Sequence, residues 1–424
     1  MKVLLLGSGG RENALAWKLS QSSKCTQLFI APGNAGSDQY GTCVDLAIND
    51  FPSIGQFCQS QGVTLMVVGP EAPLVDGIVD YFQSVEALRD ILIIGPNAEA
   101  AQLEGSKAFS KRFMEKYNIP TAAYREFTPE SLREGLEYID NSTPPIVLKA
   151  DGLAAGKGVL ICEDKEEAKK ELGLMLDGKF GTASTKVVIE DFLDGIEFSV
   201  FALTDSNSYV LLPEAKDYKR IGEGDKGLNT GGMGAISPVP FVDNALMKKV
   251  EEKIVKPTVE GLRKEKITYQ GFIFFGLIKV GDEPYVIEYN CRMGDPETEV
   301  VIPRLKTDLM DLFIAVKEGT LKDQNVEFEE EVASTIMLVS GGYPESYQKG
   351  MKISGLELAT NKSILFQAGT KKQGEDVLTN GGRVLAVTSL AKTREESLQM
   401  SMEIADQVHF EGKYFRRDIG FDLK

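Results

Sequence analysis

The sequence predicts an α/β and α+β multidomain protein, and three observations carry that reading. Short β runs alternate with helical stretches from residue 1 to about 100, a glycine-rich loop joins two β runs at residues 146–162, and strand-like runs followed by one helix close the chain. At 424 residues with 42% hydrophobic content, the chain suits about three domains with buried cores.

In the first region the β runs are "KVLLL", "QLFIA", "TLMVVG" and "ILIIG", interleaved with helical stretches such as "ENALAWKLS". Such alternation predicts a parallel, Rossmann-like sheet over residues 1–104. Ligands of open parallel sheets bind beyond the carboxyl ends of the strands, where "GSGGREN", "APGNAG" and "GPEAPL" lie. "GSGGREN" puts Glu12 where a dinucleotide fingerprint needs its third glycine, and no ribose-reading acid follows the second strand. The loop therefore predicts a phosphate held at Gly9, Gly10 and a helix N-terminus rather than NAD.

Residues 105–118, "GSKAFSKRFMEKYN", read as a capped amphipathic helix. "IVLKADGLAAGKGVLIC" follows, and it is not a Walker loop: its spacing differs, no Ser or Thr follows the lysine, and "VLIC" is strand-like. Two β runs around Gly152, Gly156 and Gly158, with Lys149 and Lys157, predict a hairpin flap over phosphates. A helix, "EEAKKELGLMLDG", and one more strand complete a small lid to about residue 187. "KVVIEDFLDGIEFSVFAL" reads as a hairpin turning at Asp194-Gly195. The stretch "AKDYKRIGEGDKGLNTGGMGAISPVP" reads as a long functional loop presenting Asp217, Lys219, Arg220, Asn229 and Thr230. From about residue 326, "VASTIMLVS", "GRVLAVTSL" and a helix ending near His409 predict a final α+β unit.

A formal charge of -16 argues against nucleic acid or an anionic membrane as partner. Five cysteines without a C-x-x-C pair indicate neither a disulfide framework nor a zinc site, and a reduced, cytoplasmic compartment is expected. His409 is the single histidine, so triads and histidine-rich metal sites give way to carboxylates, lysines, arginines and backbone dipoles.

Two stretches carry the expected chemistry. In "PYVIEYNCRMGDPETE", Glu288 and Asn290 alternate onto one strand face as hard oxygen ligands for Mg²⁺, with Arg292 and Asp295 in the charged turn beyond. In "VVIEDFLDGIEF", Glu190 and Glu197 are placed to accept from an adenine amino group or from ribose hydroxyls, while backbone near Phe192 and Leu193 reads the base edge.

In order, "APGNAG", "VGPEAPLV", "QLEGSKAF", "KADGLAAGKGV", "NTGGMGA", "EYNCRMGDPET", "TNGGRVLAVT" and "RRDIG" resemble the glycinamide ribonucleotide synthetase family of ATP-grasp ligases over essentially the whole chain. The resemblance implies a split ATP-grasp core over residues 105–122 and 188–325, a lid subdomain over 123–187, and a C-terminal α+β domain over 326–424. It implies ATP as co-substrate with Mg²⁺ or Mn²⁺, and ligation of glycine to 5-phosphoribosylamine through glycyl phosphate; a monomer is expected, though neither composition nor motif fixes the oligomeric state. Lys107 and Lys149 would contact phosphates, the loop from Asp151 to Gly158 would close over them, and Glu288 and Asn290 would carry the metal. Loops bearing Gly9, Gly10, Asn34 and Glu71, with Lys219, Asn229, Thr230 and Gly231, would bind substrate. Arg292, oriented by Asp295, would take the glycine carboxylate or the developing charge, and Asp217, Asp295 or water would accept the amine proton. Asn13 and Tyr218 stand where the family usually has histidine. Another ATP-grasp carboxylate-amine ligase or a carboxylase, a nucleotide-binding oxidoreductase and a non-catalytic nucleotide-binding regulator are the rival readings.

Overall fold

Apolar β-branched runs bounded by glycine and proline set the first sheet. A computed structural model describes residues 1–153, 158–181 and 185–423. Strands β1 (Lys2–Gly7), β2 (Gln27–Pro32), β3 (Thr42–Cys43), β4 (Leu65–Val68) and β5 (Leu92–Ile94) pair in parallel in the order β3-β2-β1-β4-β5. Side chains alternate across β1, so Leu4 and Leu6 enter one core while Val3 and Leu5 enter another. Burial on both faces is what a parallel sheet requires. Helix α1 (Gly10–Leu19) starts directly after β1.

The lid comprises β6 (Tyr124–Phe127), β7 (Ile146–Ala150), β8 (Val159–Cys162) and β9 (Val187–Asp191), ordered β6-β9-β7-β8. Helices Leu132–Asn141 and Lys165–Leu176 back it, closing a small core of its own around Phe127, Ile139, Leu148, Leu172 and Ile189. β7 and β8 form the expected antiparallel hairpin, tied at its base where the Ala150 amide donates to the Gly158 carbonyl at 2.8 Å.

The remaining strands are β10 (Ile196–Asp205), β11 (Tyr209–Asp217), β12 (Arg220–Gly222), β13 (Lys226–Asn229), β14 (Gly234–Ser237), β15 (Gln270–Val280), β16 (Glu283–Asn290), β17 (Val332–Val339), β18 (Ser363–Gln367), β19 (Thr370–Gln373), β20 (Asp376–Thr379) and β21 (Arg383–Ala391). Eight of them make one sheet, β16-β15-β10-β11-β14-β17-β21-β18. The strands of the C-terminal α+β unit continue the central sheet through the β14–β17 pairing.

Three local expectations need correction. Asp194-Gly195 is not a hairpin turn: β9 pairs within the lid while β10 pairs with β11 and β15. The chain crosses between sheets there, and a side chain at Gly195 would collide with the Lys279 carbonyl. The stretch from Ala215 to Pro240 is not structureless either, because it holds the end of β11, the β12–β13 hairpin and β14. β13 is exposed throughout, so no apolar periodicity announced it. Finally, His409 lies beyond the last helix, Arg394–Gln407, exposed and bridged to Ser354 through backbone.

Candidate active site

Strand β16 carries the first cluster. Its ladder with β15 shifts register beside Gly276, which leaves Glu288 opposite Gly276 and Asn290 opposite Phe274, two positions on one face. Lys107 sits at the start of helix Lys107–Lys116 and meets Glu288 Oε2 at 3.0 Å, while Lys149 donates to the Ile287 carbonyl at 3.1 Å. Burial works to raise the Glu288 carboxyl, but the Lys107, Lys219 and Lys149 ammonium groups outweigh it and push its pKa down to about 2. Burial works likewise against the Lys107 ammonium, and Glu288 outweighs it, raising Lys107 above its ordinary value.

Asp151, expected at the nucleotide, is engaged elsewhere. Its Oδ1 accepts from Ser106 Oγ at 2.9 Å and from the Ala108 amide at 2.7 Å, and its carbonyl accepts from the Lys107 amide at 3.0 Å. It therefore ties the base of the lid hairpin to the helix that presents Lys107, the anchoring a carboxylate gives at a helix N-terminus. Gly152 follows it and Gly158 closes the hairpin; Gly156 and Lys157 lie outside the described residues.

At the lid-to-core crossing, Glu190 and Glu197 are both paired, but separately. Lys149 and Lys111 meet Glu190 Oε2 at 2.8 and 3.2 Å, and Lys219 pairs with Glu197. Phe192, just past β9, is exposed, and Leu193 follows it. Lys219 holds Glu197 below the ordinary carboxylate range despite burial. Burial works against the Lys219 ammonium in turn, yet Glu197 and Asp217 raise it well above its usual value. Lys219, expected at the substrate, is thus joined to a residue expected at the nucleotide.

Arg292 is not oriented by Asp295. Its Nε donates to Glu71 Oε2 at 3.2 Å, its Nη2 to Glu104 Oε1 at 2.6 Å and its Nη1 to the Met293 carbonyl at 3.3 Å. Burial works to raise Glu71, but Arg292 and Arg11 hold it below its ordinary range. Glu104 was not expected at the site; besides Arg292 it accepts from the Cys291 amide at 2.8 Å. It lies in "QLEGSKAF", and an acid inside an apolar helix was the available signal.

Asp295 turns the other way, to Arg383 Nη2 at 2.9 Å, and around it lies a group of buried acids. Glu297 is buried, its Oε1 accepts from Ser199 Oγ at 3.4 Å, and burial together with Asp217 pushes its pKa up to about 8. Asp217 is raised by burial and by Glu197, against Lys219. Both carboxyl oxygens of Glu299 are buried and without hydrogen-bond partners among the described residues, and burial with Asp295 raises it well above its ordinary value.

A cleft of about 320 Å³ opens beside Asp295, lined by Ser8, Gly9, Asn34, Thr370, Asn380 and Arg383 among others. It joins the β1–α1 loop to the C-terminal strands. The Gly9 amide already donates to Glu12 Oε2 at 2.6 Å and the Arg11 amide to Asp295 Oδ2 at 3.2 Å. Two of the donors expected to hold a phosphate at Gly9 and Gly10 are therefore met by carboxylates, with Glu12 serving as the cap of its own helix. Asn34 Nδ2 donates to the Ser8 and Gln367 carbonyls at 2.9 and 2.6 Å. Asn13 Oδ1 accepts from the Gln367 amide at 3.0 Å, so both asparagines pin the first sheet to β18. Arg383 also donates to the carbonyls of Gly231 and Asp295. Thr230 Oγ1 donates to the Lys219 carbonyl at 2.8 Å, and Asn229, at the end of β13, is exposed. Tyr218 points away from these groups and donates to Asp422 at 2.8 Å.

Three family models match in sequence: phosphoribosylglycinamide synthetase N domain at residues 1–104, its ATP-grasp domain at 105–298 and its C domain at 333–422. A phosphoribosylamine–glycine ligase of Vibrio cholerae is 45% identical over 428 residues, covering 99% of this chain and 98% of that one. A bifunctional purine biosynthetic protein of Pichia angusta is also 45% identical, and the chain spans 53% of its length. The crystal structure of a phosphoribosylamine–glycine ligase from Thermotoga maritima superposes with a TM-score of 0.85 at 37% identity, covering 99% of this chain and 100% of that one.

Proposed function

The chain belongs to the phosphoribosylglycinamide synthetase family, and from that premise we propose how its residues divide the work. It is an ADP-forming carbon–nitrogen ligase: glycine and 5-phosphoribosylamine are joined at the expense of ATP, giving glycinamide ribonucleotide, ADP and phosphate. Supporting this reading above all is the convergence of Lys107 and Lys149 on the strand bearing ionised Glu288.

Among the described residues no group of three or more His, Cys, Asp or Glu is arranged to hold a metal ion alone. An ionised Glu288 beside Asn290 fits Mg²⁺ or Mn²⁺ that completes its shell with phosphate oxygens and water. When bound, such an ion neutralises charge on the phosphates. Lys107 and Lys149 donate to the same phosphates, and the lid excludes water from the acyl phosphate. A glycine carboxylate oxygen attacks the γ-phosphorus and ADP leaves. The amine of phosphoribosylamine then attacks the glycyl carbonyl, and phosphate leaves with that carboxylate oxygen.

Arg292 has five N–H donors, of which three are engaged, so two remain for the glycine carboxylate, with Glu71 and Glu104 fixing the fork. The amine proton passes to Asp217, whose raised pKa makes it a better acceptor than an ordinary carboxylate. The cleft at Asn34, Thr370, Asn380 and Arg383 receives the ribose phosphate of the amine. The five free cysteines support a reducing, cytoplasmic setting.

Assaying ATP turnover with each acceptor separately tests the reading. ADP and phosphate should form at full rate only with glycine and phosphoribosylamine together. Pyrophosphate release, or equal turnover with bicarbonate in place of glycine, would contradict it.

A further inference from the structure

The end of β11 runs on through Lys216, Asp217, Tyr218 and Lys219, bonded to β14 and to Thr230, and its side chains leave alternate faces. Asp217 and Lys219 serve the site: Lys219 pairs with Glu197, and the charge of Asp217 bears on Glu297. Lys216 and Tyr218 take the other face, where the Lys216 ammonium lies 4.5 Å from the centre of the Tyr218 ring. The reaction steps above leave this second pair without a task. What it meets is the end of the chain. Asp422 Oδ1 accepts from the Tyr218 hydroxyl at 2.8 Å, and Asp422 Oδ2 lies 3.2 Å from the Lys216 ammonium.

The same terminal segment grips the β12–β13 hairpin, which follows Lys219 directly and forms a sheet of only two strands. Arg416 is fully buried. Its Nε and Nη2 donate to the two carboxyl oxygens of Asp418, each at 2.8 Å, and its Nη1 donates to the Arg220 carbonyl at 3.1 Å and to Asp225 Oδ1 at 2.6 Å. The guanidinium carbon also lies 5.5 Å from the centre of the Tyr218 ring. Asp418 Oδ2 accepts from the Gly224 amide at 2.7 Å, Glu223 Oε1 from the Arg417 amide at 3.2 Å, and the Ile221 carbonyl from the Tyr414 hydroxyl at 2.9 Å. Glu223, Gly224 and Asp225, the turn of the hairpin, are thus each tied to residues 191 to 194 positions further along the chain. An isolated two-stranded hairpin is marginal in water, so these ties do the work of a core. Arg416 touches none of the groups assigned to the reaction, and its burial denies it a ligand. It acts through what it holds.

We infer that residues 414–422 form a latch on the end of β11 and the β12–β13 hairpin, and that Arg416 and Tyr218 are positioning residues that hold Asp217 and Lys219 in place for the attack of the amine. The inference rests on the ligase reading above, with Asp217 as acceptor of the amine proton. A small misplacement of Asp217 costs rate in that step. It leaves ATP binding alone, because Lys107 and Lys149 stand on a helix and on β7, outside the latch. Glycyl phosphate kept waiting is open to water, which attacks its carbonyl carbon, so that phosphate leaves and glycine is recovered without amide.

Arg416→Lys in the full-length chain tests this, since it keeps the charge and loses the planar fork. With glycine, ATP and phosphoribosylamine supplied, kcat for amide formation should fall about tenfold, the scale of one charge-assisted hydrogen bond, while the KM for ATP stays within about twofold of the parent. Phosphate released per amide formed should rise above the parity of the parent. Trypsin cleavage after Lys226 on exposed β13, measured without substrates, should quicken about threefold or more as the hairpin opens. Tyr218→Phe keeps the ring and removes one bond, so kcat should fall about threefold with the same loss of parity. Should Arg416→Lys fail to fold, Tyr218→Phe carries the test alone. Variants that keep the parent's kcat and its parity overturn the inference, whether or not their melting temperatures fall, and leave the ligase reading intact. So does a lower kcat with parity kept and cleavage unchanged. A parent that forms no amide from glycine and phosphoribosylamine overturns both.

Discussion

Glu288 and Glu297 lie on one short stretch of chain, yet their carboxyls are pushed in opposite directions, to about 2 and to about 8. Glu288 is half-buried and Glu297 buried, and burial works to raise both, so neighbouring charge sets the direction of each. Glu288 faces Lys107 at 3.0 Å with Lys219 and Lys149 nearby, whereas Glu297 has Asp217 as its strongest charged neighbour. One region is a set of paired, ionised groups, the one proposed above to meet phosphates and a cation. The other gathers buried acids, Asp217, Glu297 and Glu299, whose carboxyls burial and one another's charge hold above the ordinary range. A ligase that binds a polyanion and then deprotonates an amine needs both kinds of environment, and partner charge makes the difference.

Breaking the paired region should have the largest effect. Glu288→Gln should lower turnover by about 10²-fold or more while the fold survives, the scale expected when a charge-stabilising group is removed from phosphoryl transfer. Steady-state kinetics with a thermal melt would check this, and an active variant with unchanged metal dependence would make the pair structural. Next comes Arg292→Lys, which loses the fork that Glu71 and Glu104 orient. The KM for glycine should rise about tenfold, the cost of a charge-assisted bond, with the KM for ATP little changed.

The pH dependence sharpens the contrast. Glu288 is lowered from an ordinary value of 4.5 to about 2, so its contribution to stability is complete above about pH 4.5 and is lost as pH falls toward 2. Glu297 is raised from 4.5 to about 8, so the folded state holds a proton that the unfolded chain releases, and stability declines as pH rises from about 4.5 toward 8. Melting temperatures should fall across that upper window in the parent, and Glu297→Gln should flatten the slope. The smallest effect belongs to a residue outside both regions. His409→Gln, altering an exposed side chain beyond the last helix, should leave turnover within about threefold, under roughly 0.7 kcal/mol of barrier. A loss of 10²-fold with stability intact would bring the C-terminal unit into the chemistry.

Legibility in the sequence followed the same division. Periodic apolar runs announced the parallel sheet of residues 1–104, and alternation along β16 put Glu288 and Asn290 on one face. Those signals are local, set by side-chain spacing within one element. The β9-to-β10 crossing was read as a hairpin because a Gly turn between two β runs looks the same whether the strands pair with each other or with different sheets. The partners of Arg292 were misassigned for a similar reason: Asp295 is near in sequence, whereas Glu71 and Glu104 come from elements far earlier in the chain. Arg383 and Asn380, which line the cleft, sit in "TNGGRVLAVT", where no spacing marks a ligand site. The unpaired state of Glu190 Oε1 and Glu299 depends on what surrounds them in three dimensions and leaves no trace in the sequence.

Oxygen transfer tests the central claim most directly. Glycine labelled with ¹⁸O in its carboxylate, supplied with ATP and phosphoribosylamine, should deliver one labelled oxygen to the inorganic phosphate, because that oxygen bridges carbon and phosphorus before the amine attacks. ADP should be the only nucleotide product. Label found in AMP, or phosphate released without label while the amide forms, would contradict a route through glycyl phosphate.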